Sequence, residues 1–254
     1  GGEASEDAQR FRRRLTNLLR RLAVLAATLR WEGKMNLTPE DQAVEDAALD
    51  FVSKNRRQIA RQLTDLVTYP AEKNPVAVFM AGSPGAGKTE ASQALIEKLG
   101  GPVLRIDPDD YRKLIPGYTG KNSNLFQRAV GKIVEKVLDE AFGKGQSFIL
   151  DGTLSNYEVA FRNVGRALTK GRVVQILYVF QEPCQAWRFV KDREALDGRN
   201  IPVDVFIGQY FAARDVVNRL KEELGRKIKV DLIIKNLDGG NRVYEGNIQA
   251  IDGY

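Results

Sequence analysis

Gly82-Ser83-Pro84-Gly85-Ala86-Gly87-Lys88-Thr89 decides the fold of this 254-residue chain. The stretch fits GxxxxGK[ST] at every fixed position. An apolar run over residues 76–81 precedes it and reads as a buried strand. A helix is expected to follow, over about 87–99. Each residue type has a physical task. Glycines let backbone N–H groups turn inward around a phosphate with no Cβ in the way. The helix start adds the positive end of its dipole. Lys88 is placed to reach the β- and γ-phosphates, and the Thr89 hydroxyl to ligate Mg²⁺. Residues 82–89 are therefore expected to bind a nucleoside triphosphate. The competing reading is a Gly-rich turn that binds nothing.

Strand and helix patterns alternate outward from this loop. Strands are expected at 103–106, 147–150, 173–180 and 230–234, with an edge strand near 242–244. Helices are expected at 125–142, 157–168, 184–196 and 203–224. Leu125, Ala129, Ile133, Val137 and Ala141 share one face of the first of these. Near-continuous apolar strands alternating with helices predict a parallel sheet covered on both faces. The fold class is α/β, of the P-loop kinase-like kind.

The chain before the first strand has almost no strand signal. Phe11, Leu15, Leu18, Leu22, Leu25 and Leu29 recur at steps of four and three, one apolar seam on a long helix. Thr38-Pro39-Glu40-Asp41 reads as a second start, with Thr38 as N-cap and Pro39 at the first helical position. Val44, Ala48, Phe51, Val52, Ile59, Leu63 and Leu66 give a second seam, which Tyr69-Pro70 closes. These patterns predict an all-α helical hairpin over 1–74, ahead of a kinase-like domain over 75–254.

Composition removes several chemistries. The chain has no histidine, so Ser-His and Cys-His nucleophiles and His-ligated metal sites are excluded. A general base must be Asp, Glu, Lys, Tyr or a bound group. Cys184 is the single cysteine, which excludes an intrachain disulfide. No apolar run is long enough for a membrane helix, and no basic-then-apolar leader opens the chain. The cytoplasm is the expected compartment. A net charge of +6 suits an anionic ligand without requiring nucleic acid.

Acids and arginines supply the remaining candidates. Asp107-Pro108-Asp109-Asp110-Tyr111-Arg112 follows the second strand, where open α/β sheets bind ligands. Asp109 is placed to take a proton from an attacking hydroxyl. Asp107 is placed to help hold Mg²⁺ or the acceptor. Asp151-Gly152-Thr153 ends the third strand, and Asp151, Thr153 and Arg112 are candidates for the substrate side. Plainer readings are a solvated acidic turn and an Asp N-cap. Arg188, Arg193 and Arg199 follow the fourth strand. There, Arg193 and Arg199 are candidates to neutralise a transferring phosphoryl group from a mobile lid. Neither an NKxD guanine-reading motif nor an ABC-type signature is present.

Together these motifs resemble the zeta toxin family. The shared features are the loop at 82–89, the stretch Ile106-Asp107-Pro108-Asp109-Asp110-Tyr111-Arg112, the strand ending in Asp151-Gly152-Thr153, and two arginines matched by Arg193 and Arg199. The resemblance covers about residues 75–234. It implies ATP-dependent phosphorylation of a hydroxyl on UDP-N-acetylglucosamine, with Asp109 as base, Lys88 on the phosphates and the arginines on the γ-phosphate. The chain departs from the family at Ile115-Pro116, where His-Pro is common, and at Asp151, where Glu is common. Its two arginines are also closer together. The resemblance further implies that the N-terminal helices act as a fused antitoxin, an intramolecular inhibitory partner. An ordinary helical extension that completes the core or makes a dimer is the other reading. Two functional alternatives stay open: a kinase of a nucleoside, antibiotic or dinucleotide, and an ATP-dependent nucleic-acid-binding switch. The arginines share their segment with many acids and lack a stacking array, so nucleic acid is the less favoured partner.

Overall fold

The computed structural model describes residues 37–235 and 243–251. The seam from Phe11 to Leu29 lies outside the described residues. Helix α1 (Pro39–Leu63) comes first. Its start is as expected: the Thr38 hydroxyl accepts the Asp41 N–H at 3.1 Å, and Pro39 opens the first turn. Its end is earlier than the periodicity predicts. Thr64 turns its buried hydroxyl onto the Ala60 carbonyl at 2.6 Å, while Lys144 and Gln146 donate to the Thr64 carbonyl at 2.8 and 3.1 Å. The chain leaves the helix there, and Leu66 is half exposed instead of continuing the seam.

The sheet then builds around the phosphate-loop strand. The strands are β1 (Val76–Ala81), β2 (Leu104–Ile106), β3 (Phe148–Leu150), β4 (Val173–Phe180), β5 (Ile228–Ile234) and β6 (Val243–Glu245). Their order is β2-β3-β1-β4-β5-β6. All pairings are parallel except β5 with β6, which is antiparallel. The helices between them are α2 (Lys88–Leu99), α3 (Pro108–Arg112), α4 (Gln127–Gly143), α5 (Tyr157–Thr169), α6 (Pro183–Asp197) and α7 (Val203–Leu224). The short α3 was not anticipated as a helix. It forms because Asp107 caps it and Pro108 presets its first turn.

Alternation along β1 shows how the layers stack. Ala77, Phe79 and Ala81 face a core shared with α4, α5 and α7. Val78 and Met80 face Ala86 of the loop and Ala91 of α2. Residues of one strand therefore anchor both faces, as a parallel sheet requires.

Helix α1 joins the first of these cores. Ala48, Val52 and Ala60 are buried in the same cluster as α4 and the sheet. Buried Glu45 pairs with Arg128 of α4 at 3.1 Å. Val52→Ala should therefore cost about 2 kcal/mol of unfolding free energy, from lost burial and a residual cavity. Urea denaturation measures this. A loss under about 0.5 kcal/mol, typical of surface positions, would mean that α1 is only loosely attached.

Candidate active site

Parallel strands bring their carboxyl ends to one edge, and the site forms there. The backbone leaves no room at Gly85, where a Cβ would lie 2.1 Å from the Ala186 carbonyl oxygen. At Gly87 the near neighbour is the flexible end of Lys235, whose Nζ would lie 2.2 Å from a Cβ. Both residues have positive φ, at 72° and 83°. The Gly82 N–H donates to the Thr153 carbonyl at 3.2 Å, so the third strand's loop holds the phosphate loop in place.

Lys88 folds over the loop. Its Nζ donates to the Gly82 and Ser83 carbonyls at 3.1 and 2.6 Å. Burial is the main force that lowers its pKa to about 8, with Arg199 and Arg193 adding to it and Asp151 and Asp109 opposing. Thr89 stands beside it at the start of α2.

The acids gather across the loop. Asp107 Oδ1 accepts the Asp109 N–H at 2.8 Å and so caps α3. Asp109 sits between two arginines. Arg112 pairs with one carboxylate oxygen, and Arg199, ninety residues away in sequence, pairs with the other. Arg112 is buried and also donates to Gln127. The Arg199 turn is fixed in part by its own N–H, which donates to Asp197 at 3.0 Å.

Arg105 links the second and third strands. Its guanidinium pairs with Asp107 and with Asp151 at 2.6 Å, and reaches Asp110 at 3.3 Å. Ser92 donates to the same Asp151 oxygen at 3.1 Å. Burial is the main cause that raises the Asp107 pKa. The charges of Asp109 and Asp151 add to it, and Arg105 counters them.

One cavity of about 510 Å³ collects these groups. Residues 84–89, Asp107, Asp109, Arg112, Asp151, Thr153, Arg193 and Arg199 all line it. Gly82 and Ser83 lie beneath, where their carbonyls hold Lys88. Arg188 is not brought to the site. It lines a separate apolar groove with Trp187 and Phe206.

Sequence reading missed four contributors: Arg105, Gln127, Ser92 and Lys235. A visible signal existed for two. Arg105 is a charge inside the apolar strand Leu104-Arg105-Ile106, and Lys235 is the first polar residue past Ile233-Ile234. Gln127 and Ser92 had none, because their roles arise from helix packing.

The donor set fits Mg²⁺ of the nucleotide-bound kind. Thr89 offers a hydroxyl at the cavity wall. Both Asp107 oxygens are engaged, one by Arg105 and one by the Asp109 N–H. Among the described residues no group of three acidic or thiol side chains is placed to cage a metal. Such a site suits an ion that keeps its waters and phosphate oxygens.

Comparison with known proteins places this architecture. A family model described as Zeta toxin matches residues 59–249. Toxin PezT of Streptococcus pneumoniae serotype 4 is 27% identical over 139 residues, covering 52% of this chain and 55% of that protein. Toxin zeta of Enterococcus hirae is 26% identical over 142 residues, covering 52% and 49%. The chain thus spans about half the length of these curated relatives. Among solved structures, the PezAT chromosomal toxin-antitoxin system of Streptococcus pneumoniae superposes with a TM-score of 0.59. It is 22% identical and covers 82% of this chain and 81% of that one. The AvrRxo1-ORF1:-ORF2 complex with ATP superposes at 0.52 with 17% identity, covering 82% and 67%. These two likenesses show the fold. The family match takes in the whole sheet and the whole candidate site, and on it the chain belongs to the zeta toxin family.

Proposed function

We propose that the protein is a phosphotransferase that moves the γ-phosphoryl group of ATP to a hydroxyl of UDP-N-acetylglucosamine. One observation carries the reading: Lys88 of the phosphate loop, the carboxylate Asp109 and the arginine pair Arg193 and Arg199 line a single cavity. Residues 84–89 cradle the phosphates. The acceptor lies over β2 and β3. Asp109 takes the hydroxyl proton as that oxygen bonds to the γ-phosphorus and ADP leaves. Lys88, Arg193 and Arg199 stabilise the charge on the transferring group. Thr89 would help hold Mg²⁺, which would supply further neutralisation of the phosphates. Positioning and charge provide most of the rate, since this transfer needs little covalent help. Asp107, Arg112, Asp151 and Thr153 shape the acceptor side. No described helix is long and apolar enough to cross a membrane. The cytoplasm is the proposed compartment.

A second reading keeps the chemistry and changes the acceptor. Asp151 is one methylene shorter than the family's usual Glu, and Arg105 and Ser92 occupy its Oδ2. Ile115 stands where a family histidine is common, and it is buried in the core. These two positions favour another small hydroxylic acceptor as the alternative.

Restraint by the N-terminal segment is also part of the proposal, confined to residues 1–36. Helix α1 belongs to the core, and the cavity-lining residues include none from α1. Shortening the chain should therefore keep α1. Residues 37–254 incubated with ATP and UDP-N-acetylglucosamine should yield phosphorylated sugar nucleotide, read by mass spectrometry. The full chain should be at least tenfold slower. Product from a panel of other acceptors, with none from UDP-N-acetylglucosamine, selects the second reading. Equal rates for the two chain lengths would refute the restraint.

A further inference from the structure

We propose that Lys235 is a second lysine of the nucleotide site, holding the α- and β-phosphates of the donor from the side opposite the acceptor. The inference rests on the kinase reading above and adds a residue that the motif does not contain.

Lys235 directly follows β5. Its N–H donates to the Phe180 carbonyl at 3.0 Å, which fixes it beside the end of β4. The side chain then reaches Gly87. A Cβ on Gly87 would lie 2.2 Å from Nζ and 2.7 Å from Cε. The ammonium therefore rests against the phosphate-binding turn, and Lys235 lines the same cavity as Lys88 and Thr89.

The sheet order gives this contact a direction. Asp107, Asp109 and Asp151 follow β2 and β3, on one side of the phosphate loop. Lys235 comes from β5, on the other side. The γ-phosphate must face the base at Asp109, so the rest of the donor faces β4 and β5. A compact, strongly hydrated ammonium suits phosphate oxygens there. Glycine at position 87 is then needed twice, for its positive φ and for the room that Lys235 occupies. Lys235 touches phosphates that are not transferred. Its α-phosphate contact is the same in ground state and transition state and lowers KM, while the β-phosphate gains charge as ADP leaves, so a contact there also supports kcat.

Calorimetric titration of the full chain with ADP and with adenosine tests the assignment. Lys235→Met should weaken ADP about tenfold, the loss of one charge-assisted hydrogen bond. Adenosine affinity should stay unchanged, and Lys235→Arg should recover most of the ADP affinity. In turnover, Lys235→Met should raise KM for ATP by a similar factor and lower kcat by less than that factor. Lys235→Gln, read in the same way with circular dichroism, covers the case in which the Met variant does not fold. Unchanged ADP affinity in a folded variant overturns the proposal and leaves the kinase reading intact. Equal weakening of adenosine and ADP overturns it in favour of a contact to base or ribose. ADP binding absent both from the full wild-type chain and from residues 37–254 overturns both.

Discussion

Asp109→Asn should lower kcat by about 10²–10⁴-fold, the usual range for a positioned general base. KM for ATP should stay within about threefold, because the substitution leaves the phosphate loop untouched. The side-chain shape is kept, and its remaining oxygen still accepts a hydrogen bond. What is lost is the capacity to take a proton and the charge that Arg112 and Arg199 flank. Buried Arg112 retains Gln127 as a partner, so the fold should survive. A thermal melt alongside the kinetics checks this. Steady-state assays with saturating ATP then isolate the chemical step. If kcat fell less than threefold, Asp109 would not be the base. If ATP affinity fell with kcat intact, the residue would belong to the phosphate and magnesium side. The neighbouring acids make the contrast useful. Asp107 is tied up by Arg105 and by the cap of α3, and Asp151 by Arg105 and Ser92. All three line the cavity, but Asp109 is held there by the two arginines alone.

The legible and illegible parts of this chain divide along a physical line. The phosphate loop was legible because its demands are local: glycines at tight turns, then a lysine and a hydroxyl at a helix start. The strands were legible for a related reason. A parallel strand is buried on both faces and reads as an unbroken apolar run, as Val173–Phe180 does. The end of α1 was not legible, because Leu66 continues the helical period and only Lys144 and Gln146, some eighty residues on, stop the helix. Arg105 stood out as a charge in an apolar strand, but its role was illegible for the same cause. Its partners Asp107 and Asp151 meet it only once β2 pairs with β3. Arg188 shows the converse. It sits close in sequence to Arg193, yet five residues turn it to another face of α6. Both follow the fourth strand, and helical phase sets Arg193 toward the cavity and Arg188 away from it.

Arg199→Met should lower kcat by about 10³-fold, the lower end for an arginine that meets a transferring phosphoryl group. In the structure this arginine holds Asp109. Catalysis asks it to face the γ-phosphate as well. These two tasks predict different kinetics. An arginine that only positions the base acts through Asp109, so adding Arg199→Met to Asp109→Asn should cost nothing further. An arginine that stabilises the phosphoryl group acts on its own, and the double variant should fall well below either single one. The second outcome is expected. The Asp109 pair then serves as the resting arrangement of the α6 turn, released as phosphate charge arrives. Arg199→Lys separates charge from shape: it keeps the cation and loses the planar fork, so about a tenfold recovery over Met is expected. Pre-steady-state phosphoryl transfer at saturating ATP measures each variant. Should the double variant match Asp109→Asn alone, Arg199 would be a positioning residue, and the phosphoryl charge would fall to Arg193 and Lys88.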